Sequence, residues 1–342
     1  MDDPRSAAPS GVRFDVCNGD ADGLCSVVQL RLHEPGAATL VTGLKRDIAL
    51  LERVDAGAGD EVLVCDLSMQ RNRDALLRLL ERGARVRYFD HHAVADIPRH
   101  PRLDARIDLS AGTCTCAIVD RFLDGAFRAW AAVGAYGDNL RALGDRLAGE
   151  AGVAPRDRER LRELGEAINY NAYGECESDV RIAPARLYEK LVRHRHPLHF
   201  ADAEPIAAEL VEARAADLAQ ALQVTPYWSG EAGSVLILPD APWSRRVIGS
   251  AANEWAQSEP SRAWAVLRDR GDGTLVASVR APLAAPSGAG ALCARFGGSG
   301  RKAAAGIDRL AADDLDRFVR EFASMRWGGA STGADGASEN AP

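Results

Sequence analysis

The sequence predicts an α/β protein: a parallel, doubly wound N-terminal sheet, a helical connector, and a smaller C-terminal α/β domain with a mixed sheet. Three observations carry this. Short β-rich runs alternate with helical patterns through the first half, the mark of strand–helix–strand units. Residues 154–223 read as mostly helical, with apolar side chains at helical spacing. From about residue 230 strands return, two of them split by the turn Gly271-Asp272-Gly273, a hairpin signal. A chain of 342 residues is long enough for two cores.

The elements follow in order. VRFDV (12–16) reads as a strand and LCSVVQLRL (24–32) as an apolar-faced helix that ends near Pro35-Gly36. ATLVTG (38–43) and EVLVC (61–65) are the second and third strands. RDALLRLLERG (73–83) is a helix with Gly83 as its stop, since glycine accepts the left-handed conformation that closes a helix. RVRYF (85–89) is the fourth strand and TCTCAIVDRFL (113–123) another helix. In the second domain, GSVLILP (233–239), RAWAVLRD (262–269) and GTLVASVRA (273–281) read as strands. RRVIGSAANEWAQ (245–257) and DDLDRFVREFASM (313–325) read as helices flanking a Gly-rich segment at 297–306. The domains expected are 11–195 and 231–327, joined by a connector at 196–230, with flexible tails at 1–10 and 328–342.

Composition narrows the function. A net charge of −7, from 49 acidic and 42 basic side chains, argues against a broad basic surface for duplex DNA and leaves room for a local basic groove. No apolar run reaches the roughly 20 residues of a membrane span, and residues 1–10 lack the apolar core of a secretory signal. Seven cysteines without CxxC pairs fit reduced thiols, not a zinc knuckle or a disulfide framework. A cytoplasmic protein is expected.

The carboxylates cluster at strand ends. The first strand runs into Asn18-Gly19-Asp20-Ala21-Asp22, the third into Asp66, and the fourth into Asp90-His91-His92. In a parallel sheet all strand C-termini lie on one edge, where ligands bind, so these distant residues meet on one rim. Asp138, in YGDN (136–139), is a further candidate. An isolated Asp after a strand is usually a cap or a turn residue, but the repetition of one chemistry at several strand ends points to a metal site. Carboxylates with one or two imidazoles suit Mn²⁺, with Mg²⁺ as the alternative ion. A pair of such ions about 3.5–4 Å apart, sharing a carboxylate, activates water toward a phosphoester.

These segments resemble the DHH phosphoesterase superfamily, named for the Asp-His-His found here at 90–92. NGDADGLCS (18–26), VCDLS (64–68) and YGDN (136–139) are similar to its other motifs, in the same order. GSGRKAAAG (298–306) resembles the signature of its C-terminal domain. The resemblance implies one ion on Asp20 and Asp66 and another on Asp22, Asp66, His91 and Asp138, with Asp66 bridging. It implies that His92 touches the scissile phosphate and that Asp90 orients the adjacent histidine. Two positions depart from the pattern. Asn18 stands where many members carry a His or Asp ligand, and Arg301 replaces a signature His.

In the second domain, Gly298, Gly300, Arg301 and Lys302 would bind substrate, glycine N–H groups and cations together receiving a phosphate. Arg280, at a strand end, is a further candidate. Arg245 and Arg246 read equally well as solvated. The three histidines in RHRHPLHF (193–200) read as a helix C-terminus, and Tyr227, Trp228 and Trp243 as packing residues before base-stacking ones. The expected function is hydrolysis of a phosphodiester or phosphomonoester in a short oligonucleotide or nucleotide, as in nanoRNase-like, RecJ-like or pAp-phosphatase members. The alternatives are an inorganic pyrophosphatase or polyphosphatase, and a catalytically weak nucleotide-binding regulator. No membrane partner is expected; a homodimer is an open alternative.

Overall fold

The computed structural model describes residues 11–110 and 112–328; the tails predicted at 1–10 and 328–342 lie outside the described residues except for Gly328. The chain divides into two compact units, Met1–Ala216 and Asp217–Pro342.

The first unit is built on five parallel strands: β1 (Arg13–Cys17), β2 (Thr39–Val41), β3 (Glu61–Cys65), β4 (Arg85–Asp90) and β5 (Leu103–Ile107). Their order is β2-β1-β3-β4-β5, every pair parallel. The chain first steps to one side of β1 and then returns to the other, so the order reverses between β1 and β3. That crevice is where doubly wound sheets bind ligands.

Alternation along the strands explains the two layers of helices. Val62 and Val64 point into one buried cluster with Val16, Val86, Tyr88 and the leucines of helix α2 (Arg73–Glu81). Leu63 and Cys65 point into the opposite cluster with Cys17 and Phe89. That second cluster is capped by α1 (Ala21–His33), α3 (Thr115–Phe122), α4 (Arg128–Gly137) and α6 (Pro155–Ala172), with α5 (Arg141–Glu150) beside α4. Period-two strands buried on both faces place successive residues on opposite sides. Within α1, Arg31 reaches back to β1, where its Nε and Nη2 each donate to the Asp15 carboxylate at 2.7 Å.

Three elements of this unit go beyond the sequence reading. β5 is an edge strand whose residues alternate between half-buried and exposed. α4 and α5 follow α3, and Asp138 is the C-cap residue of α4. The segment 193–200 is likewise not one helix end. α7 (Pro184–Leu191) stops before it, and His196 caps α8 (Pro197–Ala203), its Nδ1 accepting from the Leu198 amide. The next helix, α9 (Pro205–Leu222), contains the point at which the two units divide.

The second unit is a mixed sheet of order β10-β11-β9-β8-β7-β6. It comprises β6 (Trp228–Gly230), β7 (Gly233–Leu238), β8 (Ala263–Asp269), β9 (Thr274–Arg280), β10 (Ser299–Gly300) and β11 (Ala304–Ala311). Only β7 and β8 are parallel. α10 (Pro242–Ser258) packs on β8, and Trp255 stacks on Trp264 there with ring centroids 5.7 Å apart. Another part of the core is formed with α11 (Ala289–Ala294) and α12 (Leu315–Ala323). The Gly-rich segment forms the β10–β11 hairpin, so no helix begins at Arg301. Among the described residues, no helix is long and apolar enough to cross a membrane.

Candidate metal centre

Strand register sets the level of the site. Cys17 lies opposite Cys65, and Cys65 opposite Phe89, so Asn18, Asp66 and Asp90 come off neighbouring strands at one edge. Asp66 turns there with φ 57°, in the left-handed region that non-glycine residues rarely occupy and that concentrates at functional sites. Asp20 is the N-cap of α1, its Oδ1 accepting from the Gly23 amide at 3.0 Å. Asp138 arrives from the end of α4. Gly137 lets that end close on α1, since a Cβ there would lie 2.4 Å from the Ala21 Cβ.

Asp22 is fully buried, and it is held from an unexpected direction. Its two oxygens accept from the Thr115 and Cys116 amides, each at 2.7 Å, at the N-terminus of α3. A carboxylate there is favoured by the helix dipole and satisfies orphan N–H groups. It still faces the rim: single donor atoms of Asp22, His91 and Asp138 lie within 4.8 Å of one another.

His91 occupies the centre. Its Nδ1 lies 3.1 Å from the Thr113 carbonyl, which can only accept, so Nδ1 donates there and, in the neutral ring, Nε2 carries the lone pair. Nε2 stands 3.5 Å from Asp66 Oδ1 and 3.6 Å from Asp138 Oδ2. Donors sharing one Mn²⁺- or Mg²⁺-sized ion lie about 3–4 Å apart. The residues present therefore fit a divalent cation.

His92 is arranged differently. Its Nδ1 is 2.6 Å from Asp90 Oδ1 and 3.9 Å from Asp66 Oδ1. A nitrogen that donates to Asp90 has no lone pair to offer an ion. Asp90 thus orients His92, not the directly following His91. Its own Oδ2 is buried without a hydrogen-bond partner among the described residues.

The rim is short of positive charge. Burial pushes the Asp66 carboxyl well up, with Asp20, Asp22, Asp138 and Asp90 adding to the rise. Burial and the neighbouring Asp22 push Asp138 up to about 6 against the pull of Lys45. Asp20 is lowered: burial opposes ionisation, but Lys45, the Gly23 amide and Asp66 overcome it. The His92 imidazole is raised, burial working against the stronger combined pull of Asp90, Asp138 and Asp20. Crowded carboxylates, two of them held off their normal ionisation, make this rim the candidate site.

Sequence reasoning missed Lys45, on the loop after β2. Its Nζ is 2.5 Å from Asp20 Oδ2 and 3.2 Å from Asn169 Oδ1, and 5.5 Å from the Tyr173 ring centre. Gly19 permits the approach of this loop, because a Cβ there would sit 1.9 Å from the Gly43 carbonyl oxygen. One signal was available. The chain holds three lysines, at 45, 190 and 302, and relies otherwise on arginine. Asn18 faces the same loop, accepting from the Asp20 amide at 3.2 Å and donating to the Lys45 carbonyl at 3.3 Å.

The remaining candidates lie on the second unit's own sheet. Arg280 closes β9, its Nε donating to Asn253 Oδ1 at 2.6 Å and its Nη1 to Ser278 Oγ at 3.0 Å. Gly298 precedes β10 and Gly300 ends it. Arg301 and Lys302 are exposed on the turn into β11. Arg246 is not solvated: it is buried and paired with Asp217 at 2.6 Å. Trp228 packs on Phe322. Every cysteine but Cys176 is buried.

This pairing of a doubly wound sheet bearing strand-end carboxylates with a mixed-sheet unit is the fold of the DHH-domain proteins. A solved DHH-domain structure, described as a member of a family of ribosomal proteins, is 14% identical, with a TM-score of 0.62 over 92% of this chain and 86% of that one. RecJ from Thermus thermophilus, in complex with Mn²⁺, is 23% identical with a TM-score of 0.56, over 91% of this chain and 51% of that one. The pGpG-specific phosphodiesterase PggH from Vibrio cholerae is 16% identical with a TM-score of 0.50, over 90% of this chain and 96% of that one. No protein-family model and no curated protein matches the sequence.

Proposed function

We propose that this chain is a Mn²⁺-dependent phosphoesterase that hydrolyses a phosphodiester or phosphomonoester of a short oligonucleotide or nucleotide. The observation that carries this reading is His91 Nε2, set between the Asp66 and Asp138 carboxylates at the switch point of the sheet while Nδ1 is turned to the Thr113 carbonyl. Asp66, His91, Asp138 and Asp22 would hold the ion. When bound, it would supply Lewis acidity toward a phosphate oxygen and acidify a water.

The remaining steps belong to side chains. Asp90 fixes His92 in one tautomer through Nδ1, which leaves its other ring nitrogen to exchange a proton with the substrate. His92 is 44% exposed, as a group that meets substrate must be. Its raised affinity for a proton suits it to donate to the leaving oxygen. Arg301 and Lys302 would receive a phosphate that is not cleaved, and Arg280 would support that surface. The resemblance implies a second ion between Asp20 and Asp66; in this chain the Asp20 carboxylate already holds an ammonium.

The test is a hydrolysis panel of dinucleotides, longer oligomers, pAp, cyclic dinucleotides and pyrophosphate, each with Mn²⁺, Mg²⁺ or chelator. Mn²⁺-stimulated cleavage of a dinucleotide, abolished by chelator, is expected. Cleavage of pyrophosphate alone, or turnover that resists chelator, overturns the reading.

A further inference from the structure

We propose that the Lys45 ammonium takes the place of a second metal ion, so that the centre works with a single divalent ion beside a built-in monovalent cation. This rests on the metal-dependent reading above and refines it.

The donor atoms on the two sides of Asp66 are engaged differently. At the His91 side, Nε2 stands 3.5 Å from Asp66 Oδ1 and 3.6 Å from Asp138 Oδ2, and Asp66 Oδ1 also accepts from the Thr115 hydroxyl at 3.3 Å. At the Asp20 side, the one carboxylate besides the shared Asp66 already holds a cation. Asp20 Oδ1 accepts from the Gly23 amide and Oδ2 from Lys45 Nζ. Asn18 Oδ1 accepts from the Asp20 amide, and its Nδ2 is turned to the Lys45 carbonyl. Asp20 accordingly joins neither group of side chains whose donor atoms converge within 4.8 Å among the described residues.

Lys45, with 31% of its side chain exposed, is anchored at both its backbone and its tip. Its amide donates to the Ala172 carbonyl at 3.0 Å, its carbonyl accepts from Asn18, and Asn169 and Tyr173 flank the ammonium. The loop that carries it is tied down as well, Asp47 Oδ2 accepting from the Leu44 amide at 2.9 Å. An ammonium is a compact point charge, whereas guanidinium is a flat fork. A chain that uses arginine nearly everywhere keeps a lysine here, the side chain that best imitates an ion. A neutral amide at 18 removes the charge that would favour a divalent ion over this lysine.

The experiment counts ions. Chelator-stripped full-length protein is titrated with Mn²⁺, with bound metal measured by elemental analysis after dialysis and spin coupling by electron paramagnetic resonance. The wild-type chain is expected to bind one Mn²⁺ with the signal of an isolated ion. The Asn18→Asp/Lys45→Met protein is expected to bind two, with the signal of a coupled pair. Two ions per wild-type chain, spin-coupled, overturn the inference and leave the metal-dependent reading standing. No ion bound overturns both. The wild-type count requires no variant to fold. A second ion admitted by Asn18→Asp alone, with Lys45 in place, would show that the lysine is not what excludes it and would also overturn the inference.

Discussion

The Asp22 carboxylate and the Thr115 amide, 2.7 Å apart, tie the start of α1 to the start of α3 across the rim of the sheet. The bond fixes a ligand candidate by the backbone of a helix far along the chain. It makes the geometry of the centre a property of how the helices pack.

His91 and His92 are adjacent but have different tasks. His91→Ala is expected to lose bound Mn²⁺, because Nε2 sits between two carboxylates. His92→Ala is expected to keep most of its metal and lose turnover by about 100-fold or more, the range for a positioned acid or base. Equal metal loss in both, by elemental analysis, would contradict this division.

Asp66 is costly without metal. It is a buried carboxylate pushed up by burial and by its neighbours, in a left-handed conformation that asparagine also accepts. Asp66→Asn is expected to abolish hydrolysis while raising the melting temperature of the metal-free protein. A gain of about 1 kcal/mol corresponds to roughly 2–4 °C at this domain size. A lower melting temperature in calorimetry would count against the crowding argument.

The same crowding predicts how stability depends on pH. Asp138 rises from 3.8 to about 6 in the folded chain. A group raised on folding stabilises fully below its unfolded value, and that contribution is lost as pH climbs through the folded value. Metal-free protein should therefore lose about 3 kcal/mol from this residue between roughly pH 4 and pH 7. Mn²⁺ should restore it, so the metal-induced rise in melting temperature is expected to be larger at pH 7.5 than at pH 5. A rise independent of pH would contradict it.

Arg301 is exposed and no ion pair engages it among the described residues. Arg301→Ala is expected to raise KM for a dinucleotide roughly tenfold with kcat nearly unchanged, as for a contact made equally in ground and transition states. Hydrolysis of an aryl phosphate monoester should be indifferent to the change. Equal losses on both substrates would remove the residue from substrate recognition.

Away from the site, Arg31 and Asp15 form a buried two-bond pair. Arg31→Met alone should cost about 3–5 kcal/mol by leaving a buried carboxylate unpaired, and Asp15→Leu added to it should recover most of that. Denaturant titration of the single and double variants decides this.

Much of the fold was legible because burial imposes a period. β1, β3 and β4 are short β-rich runs, and a ligand type stands at or just after the end of each, so the rim could be read from the sequence. β5 was not legible because only one side of it meets the core, leaving Asp104 and Arg106 exposed in LDARI. β11 was hidden in AAGIDRLA, where small residues lead in and the register shifts between Ile307 and Leu310. Lys45 escaped for a different reason. Its partner lies on another loop, and that contact exists only once β2 is laid beside β1. The Asp22 amide clamp was equally invisible, since nothing local in NGDADG announces the start of α3.

That clamp has a consequence for motion during turnover. A carboxylate on a hard cation can bind through one oxygen or two, and a ligand able to change between the two can follow substrate in and product out. Asp22 is denied this freedom, because both its oxygens are already spoken for by backbone N–H groups. Asp138 is not: no hydrogen bond holds its carboxylate among the described residues, and it ends a helix with 17% of its side chain exposed. Of these two the adaptable ligand is therefore the one carried on α4, and a carboxylate shift at residue 138 would be followed by infrared difference spectroscopy.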